Sequence, residues 1–117
     1  MTNISILHNP RCSKSRQTLQ LLNDGGYATT VVEYLKTPPD ATTLQQIKEK
    51  LGLASFKGMM RTKEAEFKEM GLNNDDVSEE TLLNAMLTCP KLIERPIVIT
   101  DDSARIGRPP ELVLDIL

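Results

Sequence analysis

The sequence predicts an α/β fold with a mixed four-stranded sheet, and three observations predict it. A short apolar run, Ile4 to Leu7, is followed by a loop and an amphipathic segment; a β-branched run from Thr29 comes next; two short apolar runs joined by a polar turn close the chain. Strand, helix, strand at the start and strand, strand, helix at the end frame a helical middle.

Each element has its own signal. Ile4-Ser5-Ile6-Leu7 reads as a buried strand. Ser13 to Asp24 reads as a helix with Leu19 and Leu22 on one face and Gly25-Gly26 as its stop. Thr29 to Tyr34 reads as the second strand. A helix between two strands makes them parallel through a right-handed crossover. Pro38-Pro39 breaks the chain, Asp40 is placed to cap a helix, and Leu44, Ile47 and Leu51 carry its apolar spacing. Residues 54–87 hold no strand signal and several helical ones. Ser78-Glu79-Glu80-Thr81 opens the clearest, with Leu82/Met86 and Leu83/Leu87 as i,i+4 pairs. Ile97 to Thr100 and Ala104 to Ile106 read as a hairpin around Asp101-Asp102-Ser103, and Pro110 to Leu117 as a last short helix. The order βαβ, helical insertion, ββα is the thioredoxin-like architecture. With no repeat, linker or low-complexity tract, residues 1–117 are expected to form a single domain.

Composition narrows the function classes. A net charge of −2 predicts no bulk attraction to nucleic acid or to an anionic membrane. The N-terminal residues lack a signal peptide's basic segment and long apolar core, and no apolar run reaches the ~20 residues that span a bilayer. The expectation is a cytoplasmic protein. Its two cysteines, Cys12 and Cys89, are then reduced rather than bridged. Ser15 stands where a C-x-x-C motif would have its second thiol, so a local dithiol cycle is absent.

Cys12 is the most informative residue. It lies in His8-Asn9-Pro10-Arg11-Cys12-Ser13-Lys14-Ser15-Arg16, between the first strand and the first helix. Exposed N–H groups and the positive end of the helix dipole favour an anion there. At pH 7 a thiol of pKa ~8.5 is about 3% ionised, and lowering it by about 2 units makes thiolate the majority form. The same helix end suits a tetrahedral oxyanion. Three arginines flank structural punctuation: Arg61 after Lys57-Gly58-Met59-Met60, Arg95 before Pro96, and Arg108 between Gly107 and Pro109-Pro110. The last two lie in loops that this topology brings toward the cysteine loop. Converging guanidinium groups would hold a tetrahedral dianion by bidentate bonds.

Blander readings compete for each residue. A surface arginine is usually only solvated, and Arg11, Lys14 and Arg16 supply either potential or merely a wet face. His8 either pairs with the Cys12 thiolate, supports the loop, or is structural. Cys89 reads as a small buried hydrophobe. His8, Cys12 and Cys89 lack metal-ligand spacing, so no metal site is expected. A tyrosine-phosphatase C-x5-R loop is disfavoured, since Thr18 occupies the arginine position and Arg16 comes too early.

His8-Asn9-Pro10-x-Cys12-x-x-Ser15-Arg16, Arg61, Glu94-Arg95-Pro96 and Gly107-Arg108-Pro109-Pro110-Glu111 together resemble the ArsC family of glutaredoxin-dependent arsenate reductases. The resemblance runs through nearly the whole chain, and the Asn-Pro-Arg-Cys-Ser-Lys-Ser-Arg stretch is similar to its YfgD-like chromosomal bacterial branch. It implies Cys12 as the catalytic thiolate and Arg61, Arg95 and Arg108 as the oxyanion ligands. It implies that His8 tunes the cysteine, that Asn9, Ser15 and Arg16 support the loop, and that Pro96 is cis. It also implies a monomer with no bound cofactor, arsenate as substrate, glutathione as co-substrate and glutaredoxin as partner. Two alternatives stand beside it: a glutathione-linked thiol reductase of another substrate, and an Spx-like redox regulator binding RNA polymerase. Ser15 in place of a second cysteine and the full set of three arginines argue against the regulator.

Overall fold

The computed structural model describes residues 3–117. They form two compact units, one made of the chain up to Thr37 with Arg95–Leu117, the other of Pro38–Glu94. The first unit contains β1 (Ile4–Leu7), α1 (Ser13–Asp24), β2 (Thr29–Val32), β3 (Ile97–Ile99), β4 (Ala104–Ile106) and a 3₁₀ segment, Pro110–Ile116. Its sheet has the order β2-β1-β3-β4. β1 and β2 are parallel, with Ile4 opposite Thr29 and Leu7 opposite Val32. β1 with β3 and β3 with β4 are antiparallel. The architecture is thioredoxin-like, as the element order predicts.

Period-two alternation sets the core of this unit. Ile4 and Ile6 project to one face of β1, and Ile6 is opposite Val98 on β3. Leu22 of α1 and Val113 of the 3₁₀ segment close over them, with Leu19, Ile116 and Leu117 packed at the margin. This apolar layer clamps α1 against the sheet and thereby fixes where its N-terminus lies.

Two expectations are corrected. β2 ends at Val32 rather than Tyr34, because the Glu33 carbonyl accepts the N–H groups of Lys36 and Thr37 and turns the chain. Tyr34 is nevertheless buried. The final segment is 3₁₀ rather than α. Its buried residues Pro110 and Val113 are three apart, the period of that helix.

The second unit is helical: α2 (Ala41–Leu51), α3 (Ala65–Glu69), α4 (Glu79–Thr88) and 3₁₀ turns at Phe56–Met59 and Pro90–Leu92. Asp40 caps α2 by accepting the Thr43 N–H at 2.8 Å. Gly52 ends it at φ 74°, a left-handed conformation that costs glycine little. Ser78 caps α4 by accepting the Thr81 N–H. α4 packs on α2 and on both 3₁₀ turns, burying Leu44, Ile47, Phe56, Leu82, Met86 and Leu92 within the unit. Glu79 ties the first turn down, accepting the Ser55 hydroxyl and the Phe56 N–H, each at 2.8 Å. Among the described residues no helix is long and apolar enough to cross a membrane.

Candidate active site

The cysteine loop is held by its own polar groups. His8 continues the β1–β2 pairing by donating its N–H to the Val32 carbonyl at 2.8 Å. The Asn9 carbonyl accepts the Cys12 N–H, and its side-chain oxygen accepts the Arg11 N–H, both at 3.0 Å, so Asn9 closes the turn twice. Arg16 reaches back from α1 and donates to the Pro10 carbonyl at 3.0 Å. Ser15 is fully buried; its hydroxyl accepts the Asn9 N–H at 3.0 Å and is hydrogen bonded to His8 Nδ1 at 2.7 Å. His8 therefore contacts the loop through Ser15. Its burial holds its pKa below the ordinary histidine value, against the raising effect of Glu33 and with a smaller lowering effect from Arg16.

Cys12 occupies the N-cap of α1 with extended backbone, φ −94° and ψ 123°. Partial burial pushes its thiol pKa up, but the pull of the Ser15 N–H, the Arg95 guanidinium, the Lys14 N–H and the Arg108 guanidinium outweighs it. The net direction is downward, toward thiolate. Its side chain forms no geometric capping hydrogen bond. The N–H groups act as dipoles that favour the anion. The thiol is half-buried and unbridged, so a ligand can reach it.

Of the two candidate arginines in this unit, Arg108 is braced by the backbone of Arg95. Arg108 Nη2 lies 3.7 Å from Cys12 Sγ, and its Nε donates to the Arg95 carbonyl at 2.9 Å. The Gly107 N–H donates to the Pro96 carbonyl at 2.9 Å. A Cβ on Gly107 would fall 2.6 Å from Thr18 Oγ1 and 2.9 Å from Pro96 Cγ, so only glycine fits between helix and loop. The Arg95–Pro96 and Arg108–Pro109 peptide bonds are both cis. The sequence reading named the first and missed the second.

Arg61 lies in the helical unit. Its N–H donates to the Leu92 carbonyl at 2.7 Å and its guanidinium is ion paired with Glu64. Lys91 bridges Glu64 at 3.5 Å and Glu66 at 3.0 Å, making a cluster of two cations and two carboxylates. The sequence reading missed this cluster, although the i,i+3 spacing of Arg61 and Glu64 signals its first pair. Cys89 belongs to the same unit, half-buried at the end of α4. Among the described residues no group of three His, Cys, Asp or Glu side chains is placed to hold a metal ion.

A thiol drawn toward thiolate, two guanidinium groups acting on it and a helix N-terminus together suit attack on an oxyanion. The chain is similar to known proteins over nearly its whole length. The Escherichia coli K12 protein named YfgD, itself described as uncharacterized, is 53% identical over 97% of this chain and 96% of its own. An arsenate reductase of Neisseria meningitidis serogroup B is 50% identical over the full length of both. The solved structure of an arsenate reductase from Vibrio cholerae superposes with a TM-score of 0.96 at 48% identity, covering 99% of this chain and 98% of that one. A model of the ArsC family matches residues 7–116, spanning the Cys12 loop and both cis-proline loops, so the chain belongs to the ArsC family.

Proposed function

We propose that this chain reduces arsenate to arsenite through Cys12, with glutathione and glutaredoxin as electron donors. The observation that carries the reading is the half-buried Cys12 thiol at the start of α1, drawn toward thiolate with Arg95 and Arg108 acting on it. The arsenate reductases among its relatives, matched over full length, support the substrate.

The chemistry balances with two thiols. The Cys12 thiolate attacks arsenic, a Cys12 S–As bond forms and water leaves. Glutathione then adds to the same arsenic, a second S–As bond forms and another water leaves. The two sulfurs join as both S–As bonds break, and the electron pair passes to arsenic, taking As(V) to As(III). Arsenite departs after hydration, leaving a Cys12–glutathione disulfide. Glutaredoxin thiolate attacks the glutathione sulfur and releases Cys12 as thiol. Phosphate enters the same site, but its P–S adduct does not lead to reduction. Arg95 and Arg108 orient the oxyanion by charge-assisted bonds, and family likeness adds Arg61 as a third ligand. Asn9, Ser15 and Arg16 hold the loop, and His8 is a positioning residue acting through Ser15. Ser15 lacks a thiol, which supports an external reductant.

We assign this activity to a cytoplasmic monomer in which residues 1–117 work as one functional domain; a single family model running through both units supports the last point. The test is NADPH consumption with arsenate, glutathione, glutathione reductase and glutaredoxin. Turnover is expected in wild type, lost in Cys12→Ser and largely kept in Cys89→Ser. No turnover in folded wild type with a reactive thiol removes arsenate as the working substrate.

A further inference from the structure

β1 and β2 run parallel through α1, so their carboxyl ends open on one side of the sheet. The loops that follow them border a crevice. Here that crevice is a cleft of about 430 Å³, lined by residues His8 to Arg11 after β1 and by Glu33, Leu35 and Lys36 after β2. Its size falls in the ~300–1,000 Å³ range of small-molecule sites. Its charged groups are two cations, Arg11 and Lys36, and one carboxylate, Glu33. Leu35 is 47% exposed on its wall, leaving apolar surface for contact. Glu33 and Lys36 pair at 3.6 Å, but their side chains are 41% and 78% exposed, and so open a pair exchanges partners at small cost. The cleft includes Arg11, the residue directly before Cys12 in the chain, so its rim adjoins the cysteine loop.

We infer that this cleft docks the reducing thiol, a glutathione-type tripeptide, through charge and shape. That ligand carries two carboxylates, one ammonium and a central thiol. The carboxylates complement Arg11 and Lys36, the ammonium complements Glu33, and the ligand's net −1 meets the cleft's net +1. The inference rests on the reductase reading for its chemistry. The docked thiolate forms its S–As bond to the Cys12-bound arsenic with loss of water, and the electron pair reaches arsenic when the two sulfurs join.

The experiment titrates S-methylglutathione, which keeps all three charged groups and cannot form a disulfide, into full-length ¹⁵N-labelled Cys12→Ser protein. Saturable shifts are expected at the Arg11, Glu33, Leu35 and Lys36 amides. Lys36→Glu should weaken binding about 5–10-fold, and Leu35→Ser should weaken it too, with each spectrum reporting its own fold. In the coupled assay Lys36→Glu should raise KM for glutathione by the same factor and leave KM for arsenate within about twofold. Shifts absent from these amides, equal shifts with succinate at matched ionic strength, or unchanged affinity in Lys36→Glu would overturn the assignment. Specific binding without arsenate turnover would remove the reductase reading and keep the cleft as a glutathione site. Turnover with an unaltered glutathione KM in Lys36→Glu would remove the cleft and keep the reductase.

Discussion

Arg108 acts on Cys12 in two ways. It faces Sγ at 3.7 Å, lowering the thiol pKa, and on the proposed mechanism it also binds the oxyanion. Arg61 has its charge engaged by Glu64, and on the proposed mechanism it acts only as an oxyanion ligand. The two substitutions should therefore separate. In a Cys89→Ser background, Arg108→Ala should raise the pH midpoint of Cys12 alkylation by iodoacetamide and lower kcat/KM for arsenate about 10–100-fold, the worth of one charge-assisted contact. Arg61→Ala should lower kcat/KM by a similar factor with the alkylation midpoint unmoved. An unmoved midpoint in Arg108→Ala would remove Arg108 from the groups that draw Cys12 toward thiolate and leave the Ser15 N–H and Arg95. The cysteine loop was legible because its information is local: Asn9, Ser15 and Arg16 all bond within seven residues of one another. The full cluster around Arg61 and Glu64 was not, because Lys91 joins it from 30 positions beyond Arg61.

At the scale of elements, the N-terminus of α1 is positioned by packing farther along the helix. Leu22 anchors the helix in the apolar core, and Thr18 abuts Gly107 at the start of the Arg108 loop. Gly107→Ala places a methyl 2.6 Å from Thr18 Oγ1 and should destabilise the protein by about 1–3 kcal/mol in urea unfolding. Thr18→Ala should recover part of that loss in the double variant, because it removes one of the two clashing neighbours and leaves Pro96. Strictly additive losses would show that the helix and the loop are not in contact. This contact joins residues far apart in sequence, so no period or motif announced it. Strand and helix bounds were announced: Gly25-Gly26 stops α1 where the sequence reading stops it, and Asp40 caps α2. β2 was overextended because Tyr34 has a strand former's side chain but is buried in a turn outside the sheet.

For the whole molecule, the same groups that prepare the site shape stability against pH. The folded pKa of His8 is depressed, mainly by burial, below its unfolded value of about 6.5. Its neutral form thus contributes stability that is fully present above about pH 6.5 and is lost as pH falls through the folded value, since the unfolded chain takes up the proton first. The folded pKa of Cys12 is also depressed, from an unfolded value of about 8.5. Its contribution is present above about pH 8.5 and is lost as pH falls through the folded value. Asp40, Glu66 and Glu79 are depressed as well, each held by hydrogen bonds or by nearby lysines, and their losses begin only below about pH 4.5, in the carboxylate range. The onsets of the three losses follow the unfolded values, near pH 8.5, 6.5 and 4.5. Urea midpoints measured from pH 5 to 9 should fall on acidification, with an alkaline step that begins near pH 8.5 and a further fall that begins near pH 6.5. Cys12→Ser should flatten the alkaline step alone. His8→Asn should flatten the fall that begins near pH 6.5, while lowering stability at pH 7.5 through the altered contact with Ser15. An unchanged slope below pH 6.5 in His8→Asn would mean that the imidazole titrates as freely in the folded protein as in the unfolded chain. Ser15 would then be held by a histidine that water reaches, and His8 would lose its role as the buried support of the cysteine loop.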